Sequence, residues 1–408
     1  MNVSIIAIGD ELLLGNVVDT NTPFIASLID ANGWQPVYSC QVHDDPCDIL
    51  FAVKEAFRRS DVILTTGGLG PTKDDITKQV LCEYFGGKLV HDPAVAANVE
   101  RIFAERGLTM NALTASQAMV PDCCKVIPNA TGTAPIMWFE KDGKVLVSMP
   151  GVPREMRYSF TREVLPRLRA IGSDSGQPTL HRYFLLEGIS ESDVDTMLCS
   201  DDTMPELRSI HKAYLPQTGY LKIRLDHSDP AVLETAASGF EELMHRYIFA
   251  REDVKPAEAL IDTLRARSMT ITTAESCTGG NIAHLITSIA GSSAVYNGSI
   301  VSYSNGMKTD VLGVPCQLIE NHGAVSPEVA AAMARGATCV AQTQCAVATS
   351  GIAGPGGATP GKPVGTVCIA VTTPAGTVSD TYRFSGNRAE VIERASIKAI
   401  ILMIRALA

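Results

Sequence analysis

Two groups of residues in this 408-residue chain combine types and spacings that can do chemistry. The first is a set of adjacent carboxylates, Asp10-Glu11 in GDELLLG (9–15) and Asp74-Asp75 in TTGGLGPTKDD (65–75). Oxygen ligands of this kind suit Mg²⁺ or Mn²⁺, ions that neutralise diphosphate oxygens. Ahead of the second pair, Gly67, Gly68, Gly70 and Thr72 offer backbone N–H groups before a helix, an arrangement suited to phosphate. The same residues also read as a tight turn followed by an acidic first helical turn favoured by the dipole. Spacing alone leaves both readings open.

The second group begins at TTAESCTGG (272–280), which sets Ser276 between a β-rich run and a glycine-opened helix. Backbone N–H groups there could receive an oxyanion, although a serine before a helix is also an ordinary cap. Its company favours chemistry. VSYSNGMK (301–308) brings Tyr303, Asn305 and Lys308, and TSGIAGPGG (349–357) brings Ser350, Gly351 and Gly354. No histidine lies in these motifs; His284 and His322 fall outside them and read as structural. A lysine whose pKa is lowered by burial can deprotonate a serine, and Lys308 is the only lysine between Lys255 and Lys362. Cys277, next to Ser276 and intrinsically reactive, is the rival nucleophile. A phosphate on the ligand would need further donors. GSS (291–293), with Ser292 and Ser293, the GIAGPGG backbone and Arg388 in FSGNRAE could supply them, and each also reads as a turn or surface residue.

The elements that must position these residues alternate. VSIIAIG (3–9), PVYSCQV (36–42) and DVILTTGG (61–68) read as strands, with helices from Asn21 to Gly33 and over 45–60. This is a doubly wound α/β pattern, in which ligands sit beyond the carboxyl ends of strands, so both carboxylate loops share one rim. A helix over 93–106 and a strand-like VLVSMPGVP (145–153) complete a first domain, 1–170. IGSDSGQP (171–178) reads as a linker into a small α/β domain, 171–254, with strands at 180–187 and 219–225 and helices from Ser190 and over 230–247. The third domain, 255–408, opens with a helix (256–267) and a strand leading into Ser276; it holds 16 of the 33 glycines, gathered in loops where backbone can approach a ligand.

Composition narrows the function classes. With 46% hydrophobic and 19% charged residues the chain folds into more than one core. Residues 1–254 carry 23 Lys+Arg against 35 Asp+Glu, a balance of −12, while 255–408 carry 11 against 9, a balance of +2. Without a basic stripe, no nucleic acid partner is expected. No apolar run is long enough for a membrane span, no signal peptide is read at the start, and eleven cysteines without a C-x-x-C pair read as reduced cytoplasmic thiols.

GDELLLGNVVDTN (9–21), GGLGPTKDDIT (67–77) and MPGVPREM (149–156) resemble the N-terminal domain of the CinA (competence/damage-inducible) family, related to molybdopterin-binding domains of the MoaB/MogA type. The resemblance implies divalent-metal-dependent (Mg, Mn or Co type) hydrolysis of ADP-ribose to AMP and ribose 5-phosphate, with Asp10, Glu11, Asp74 and Asp75 on the metal side. Binding of a pterin-like ligand is the alternative at the level of fold. AESCTGG, GSS, VSYSNGMK, HGAVSPEVAAAMA, TSGIAGPGG and KPVGTV are similar to the C-terminal domain of the same family, the PncC-type nicotinamide-nucleotide amidases. That implies hydrolysis of the carboxamide of nicotinamide mononucleotide (NMN), without a metal. Ser276, Lys308 and Tyr303 would act in the reaction. Thr278, Gly279, Gly280, Ser292, Ser293, Asn305, Ser350, Gly351, Gly354 and Arg388 would hold the substrate. A homodimer is expected from the same resemblance, and a non-catalytic competence or damage-response adaptor is the contrasting reading.

Overall fold

The structure, a computed structural model, describes residues 1–72, 74–172, 179–200, 207, 208 and 210–408. They form two compact units, Met1–Thr179 and Leu180–Ala408. Most of the linker signal, residues 173–178, lies outside the described residues.

The strands of the first unit are β1 (Asn2–Ile8), β2 (Gln35–Val42), β3 (Val62–Thr66), β4 (Leu89–His91), β5 (Met119–Pro121), β6 (Lys125–Ile127), β7 (Ile136–Lys141) and β8 (Lys144–Met149). Six form one sheet in the order β2-β1-β3-β8-β7-β6; β2, β1, β3 and β8 run parallel, and β7 and β6 run antiparallel at the edge. Because side chains alternate along a strand, Val3 and Ile5 enter one core with Trp34 and Phe160, while Ile6 and Ile8 enter another with Ile49 and Phe139. The near-continuous apolar run of β1 is what two covered faces require. The helices Asn21–Ala31 and Pro153–Ser159 cover the first face, and Pro46–Arg59 covers the second, presenting Ile49, Ala52, Val53 and Ala56 at helical spacing. The doubly wound reading therefore holds. The strand expected over 145–153 stops at Met149, because Pro153 opens a helix and cannot continue a ladder.

In the second unit β9 (Leu180–Leu186), β10 (His211–Gln217), β11 (Tyr220–His227) and β12 (Ile248–Ala250) form an antiparallel sheet, β10-β11-β9-β12. A further sheet, β14-β13-β15-β16-β17, is built from β13 (Ile271–Glu275), β14 (Tyr296–Val301), β15 (Cys345–Gly351), β16 (Thr366–Thr373) and β17 (Gly376–Arg383); the first three run parallel. Cys345 and Val347 face a core closed by the helices Pro256–Ala266 and Arg388–Leu407. Ala346 and Ala348 face the other, closed by the helix Pro327–Ala341. Leu185 and Phe249 of the smaller sheet enter the first of these cores, and Glu187 pairs with Lys398 and Arg405. Those contacts make one unit of the two sheets.

The motifs with Ser276, Lys308 and Ser350 stand at the carboxyl ends of β13, β14 and β15, three parallel neighbours, so the topology alone gathers them. The segment after Lys308 is fixed by Val314 N–H, which donates to Lys308 O, and by the passage of Leu312 over Gly336. A Cβ on Gly336 would lie 1.9 Å from Leu312 O. Gly336→Ala gains about 1 kcal/mol of helix propensity, but the clash with backbone outweighs it. Thermal unfolding of the variant should therefore begin at lower temperature than wild type; an unchanged or raised midpoint would contradict the packing described.

Candidate functional site

β13 ends on Glu275, and the chain then turns so that Ser276 N–H donates to Thr349 O of β15 at 3.0 Å. Gly279 and Gly280 complete the turn at φ +62° and +98°, which an L side chain rarely adopts, before the helix Asn281–Thr287. Glu275 is fully buried. Its carboxylate accepts from the N–H groups of Gly280, Ile282 and Ala283 at 2.9, 3.1 and 2.8 Å and from Thr278 Oγ1 at 2.8 Å. The acid thus satisfies the first turn of the helix and offsets its dipole. Sequence reasoning missed it, since it reads as one more strand residue; a carboxylate just before a glycine-opened helix was the available signal.

Lys308 lies in the single-turn helix Asn305–Asp310, started by Ser304, whose Oγ accepts from Met307 N–H. The turn aims Lys308 inward, leaving it 1% exposed. Its Nζ donates to Ser302 O at 2.8 Å and reaches Ser276 Oγ at 3.1 Å. Burial pushes the amine below the ordinary lysine pKa, with Cys277 acting slightly in the other direction. Cys277 is itself buried, which pushes its thiol up to about 12. At neutral pH it stays protonated, so the geometry favours Ser276 over Cys277 as nucleophile.

A cavity of ≈ 220 Å³ opens on this pair, lined also by Tyr303, Asn305, Ser350, Gly351 and Arg388. The Tyr303 hydroxyl accepts from Arg388 Nη2 at 2.9 Å, and Arg388 Nη1 donates to Gly354 O at 2.8 Å. Arg388 thereby ties the loops after β14 and β15 across the mouth. Ser350 Oγ donates to Ala324 O at 2.6 Å, and Lys362, which opens the KPVGTV motif but was given no role from the sequence, holds that loop through His322 O and Val325 O.

Several expected substrate contacts are not brought to this cavity. Thr278 gives its hydroxyl to Glu275 and shares a hydrogen bond with Thr349, and Gly280 N–H is likewise taken by Glu275. The helix N-terminus expected to receive an oxyanion is therefore occupied by a carboxylate. Among the described residues, the N–H of Thr278 has no hydrogen-bond partner, and that of Cys277 reaches only its own thiol. Ser292 and Ser293 precede β14, at the amino end of a strand whose carboxyl end carries the site. A parallel sheet separates the two ends by the length of the strand, so in this chain they lie on the opposite rim. His284 and His322 do not line the cavity, and the His322 ring faces Glu328 at 3.6 Å.

The first unit carries a cavity of ≈ 440 Å³ at the carboxyl ends of β1 and β3. Gly67, Gly68 and Gly70 line it with Glu11, Asp44, Asp74 and Asp75, as the shared-rim reading expects. Gly67 and Gly68 take φ +103° and +61°, and a Cβ on either would meet Ile8 O or Thr77 Oγ1 at 2.0 Å. Asp10 is turned aside: its carboxylate faces His43 Nδ1 at 2.9 Å and accepts from Asp44 N–H at 3.2 Å, and the bond to His43 holds its pKa down. Asp75 accepts from Thr72 N–H and Oγ1, so Thr72 is spent within the loop. Asp44, which sequence reasoning missed because it lies 34 residues from Asp10, has its pKa raised by burial, and the neighbouring acids add to the rise. Among the described residues no three His, Cys, Asp or Glu side chains converge as a ready set of metal ligands.

Residues 253–407 match the family described as the CinA C-terminal domain, and residues 4–170 match a "Probable molybdopterin binding domain". A CinA-like protein of Cytophaga hutchinsonii is 37% identical over 98% of this chain and 96% of its own length. A CinA-like protein of Flavobacterium psychrophilum is 38% identical over 98% of this chain and 97% of its own. A crystal structure of the competence/damage inducible protein CihA from Agrobacterium tumefaciens, 40% identical, covers 37% of this chain and 93% of that one with a TM-score of 0.36. The fold is a mixed α/β one, with a molybdopterin-binding-like domain in front and a CinA C-terminal domain behind. The chain belongs to the CinA family. No helix among the described residues is long and apolar enough to cross a membrane.

Removing the buried acid tests the turn that carries Ser276. Glu275→Ala leaves the N–H groups of Gly280, Ile282 and Ala283 without their acceptor and should cost about 3 kcal/mol or more of unfolding free energy in denaturant titrations. A loss below about 1 kcal/mol would mean that the carboxylate does not hold the turn.

Proposed function

We propose that the C-terminal domain is an amidohydrolase that converts NMN to nicotinate mononucleotide and ammonia. The observation that carries this reading is the buried amine of Lys308 at 3.1 Å from Ser276 Oγ, with burial favouring its neutral form. Neutral Lys308 takes the Ser276 proton and the alkoxide attacks the carboxamide carbon. The N–H groups of Cys277 and Thr278, neither of them held by another residue, receive the oxyanion. Lys308 then delivers the proton to the departing nitrogen, which leaves as ammonia. Water, deprotonated by Lys308, attacks the acyl-serine, and the same proton returns to Ser276 Oγ. Arg388 binds the substrate phosphate by exchanging its contacts with Tyr303 and Gly354 for charge-assisted bonds. An adaptor without chemistry has no use for a lysine buried against a serine.

For the N-terminal domain we propose hydrolysis of the ADP-ribose diphosphate to AMP and ribose 5-phosphate. The support is a glycine-rich loop and five carboxylates, Glu11, Asp19, Asp44, Asp74 and Asp75, on one cavity. Because those side chains do not form a ligand set by themselves, a Mg, Mn or Co type ion would be held by Glu11, Asp74 and Asp75 only together with substrate oxygens. Asp10 would act on it indirectly, through Asp44. The ion would supply charge neutralisation of the diphosphate.

Ammonia release from NMN should be abolished in Ser276→Ala and Lys308→Ala and largely kept in Cys277→Ala. A silent wild type, or unaffected Ser276 and Lys308 variants, would overturn the amidase reading. Since only the neutral amine accepts a proton, the rate should rise with pH through the Lys308 pKa, on a limb displaced below the ordinary lysine value of 10.5. AMP formation from ADP-ribose should require added divalent ion and drop by about a hundredfold in Asp74→Ala. Turnover in chelator would exclude the ion, and no turnover at all would leave a domain that only binds a pterin-like ligand.

A further inference from the structure

The second unit holds a positively charged recess that none of the motifs above accounts for. It has a volume of ≈ 380 Å³ and lies between the end of β17, the helix Arg388–Leu407 and the Gln217–Gly219 turn joining β10 to β11. Arg383, Arg394 and Lys398 line it, against a single acid, Glu187. That acid pairs with Lys398 in the recess and with Arg405, which leaves Arg383 and Arg394 as the cations it does not neutralise. Arg394 Nη1 donates to Ser385 O and Oγ at 3.1 and 2.9 Å, and the guanidinium of Arg383 has no hydrogen bond or ion pair among the described residues. Arg383 and Phe384 also line an adjoining recess of ≈ 340 Å³.

Two guanidinium groups facing one recess repel each other and gain when an anion joins them. In a chain with ten more acids than bases, carboxylates to pair them were plentiful, yet neither Arg383 nor Arg394 has one among the described residues. The walls are fixed by packing. Gly219, at φ +80°, brings its turn so close to the helix that a Cβ would meet Ile397 Cγ2 at 3.3 Å, and Lys398 lies over the Tyr382 ring at 5.0 Å. The volume of ≈ 380 Å³ falls toward the lower end of the range of small-molecule sites, about 300–1,000 Å³, which suits a small metabolite.

We propose that this recess binds the phosphate monoester of a small metabolite through Arg383 and Arg394. It shares no lining residue with the Ser276 cavity, and the proposal does not depend on the amidase reading. Its place in the fold gives it a route to that cavity: Ser385, gripped by Arg394, lies three residues before Arg388.

Calorimetric titration of the full chain with AMP, adenosine and inorganic phosphate tests the site. AMP should bind, with inorganic phosphate competing and adenosine weaker by roughly tenfold or more. Arg383→Gln and Arg394→Gln should each weaken AMP by roughly tenfold, while Arg388→Gln leaves this component unchanged. The Arg383 guanidinium makes no hydrogen bond or ion pair among the described residues and the residue is exposed, so Arg383→Gln removes no polar contact that supports the fold. Absence of AMP binding, or an isotherm identical in wild type and Arg383→Gln, would overturn the proposal, as would loss of the component in Arg388→Gln.

Discussion

The burial of one amine organises the second unit. Lys308 has an ordinary lysine's need for water, and the fold denies it, leaving Nζ with two backbone carbonyls and a serine hydroxyl. Among the described residues no carboxylate pairs with it. Burying an unpaired cation is costly, and the cost falls when the amine gives up its proton. The arrangement that destabilises the charged form thereby creates the base that Ser276 lacks. Without a histidine in the cavity, the chemistry depends on that displacement of a proton equilibrium.

The rest of the unit can be understood as support for this contact. Parallel pairing of β14, β13 and β15 brings three loops to one rim, and the loops are then fixed by polar contacts of opposite character. Glu275, a buried carboxylate, is satisfied by the N–H groups of the helix that follows Ser276. Lys362 clamps carbonyls of the loop that receives Ser350, and Arg388 bridges Tyr303 and Gly354. Charges are thus placed against backbone groups rather than against one another, and Lys308 keeps its lack of a counter-ion. The first unit solves a different problem. There, acids crowd a glycine-lined cavity, and Asp44 is held above the ordinary carboxylate range by burial first and by its acidic neighbours second, so the cavity favours a cationic or cation-bridged ligand.

Much of this was legible in the sequence, and the parts that were not share a cause. The strand-loop-helix alternation of the first unit could be read because β1 and β3 are covered on both faces and so are near-continuous runs of apolar and β-branched residues. Ser276 and Lys308 could be paired because few other residue types in those loops can do nucleophilic work. Glu275 could not be singled out, since its partners appear only when the turn closes. Ser292 and Ser293 looked like ligand donors because they stand near the other motifs in sequence, whereas direction along a parallel strand puts them at the wrong end. Asp44, His43 and Lys362 act across 33 to 40 residues of sequence, a distance over which spacing carries no signal. The hairpin of β10 and β11 was half read: the strand at 219–225 was expected and its partner over 211–217 was not, because its polar, half-exposed pattern lacks the apolar alternation of a strand with one buried face.

The central claim is that the fold holds Lys308 as a free base against Ser276. Direct NMR titration of the Lys308 Nζ resonance, assigned with Lys308→Met, tests it without reference to any substrate. The account predicts a midpoint displaced below the ordinary lysine value of 10.5. A lysine titrating at or above that value would stay charged throughout, and the serine-lysine mechanism would be contradicted.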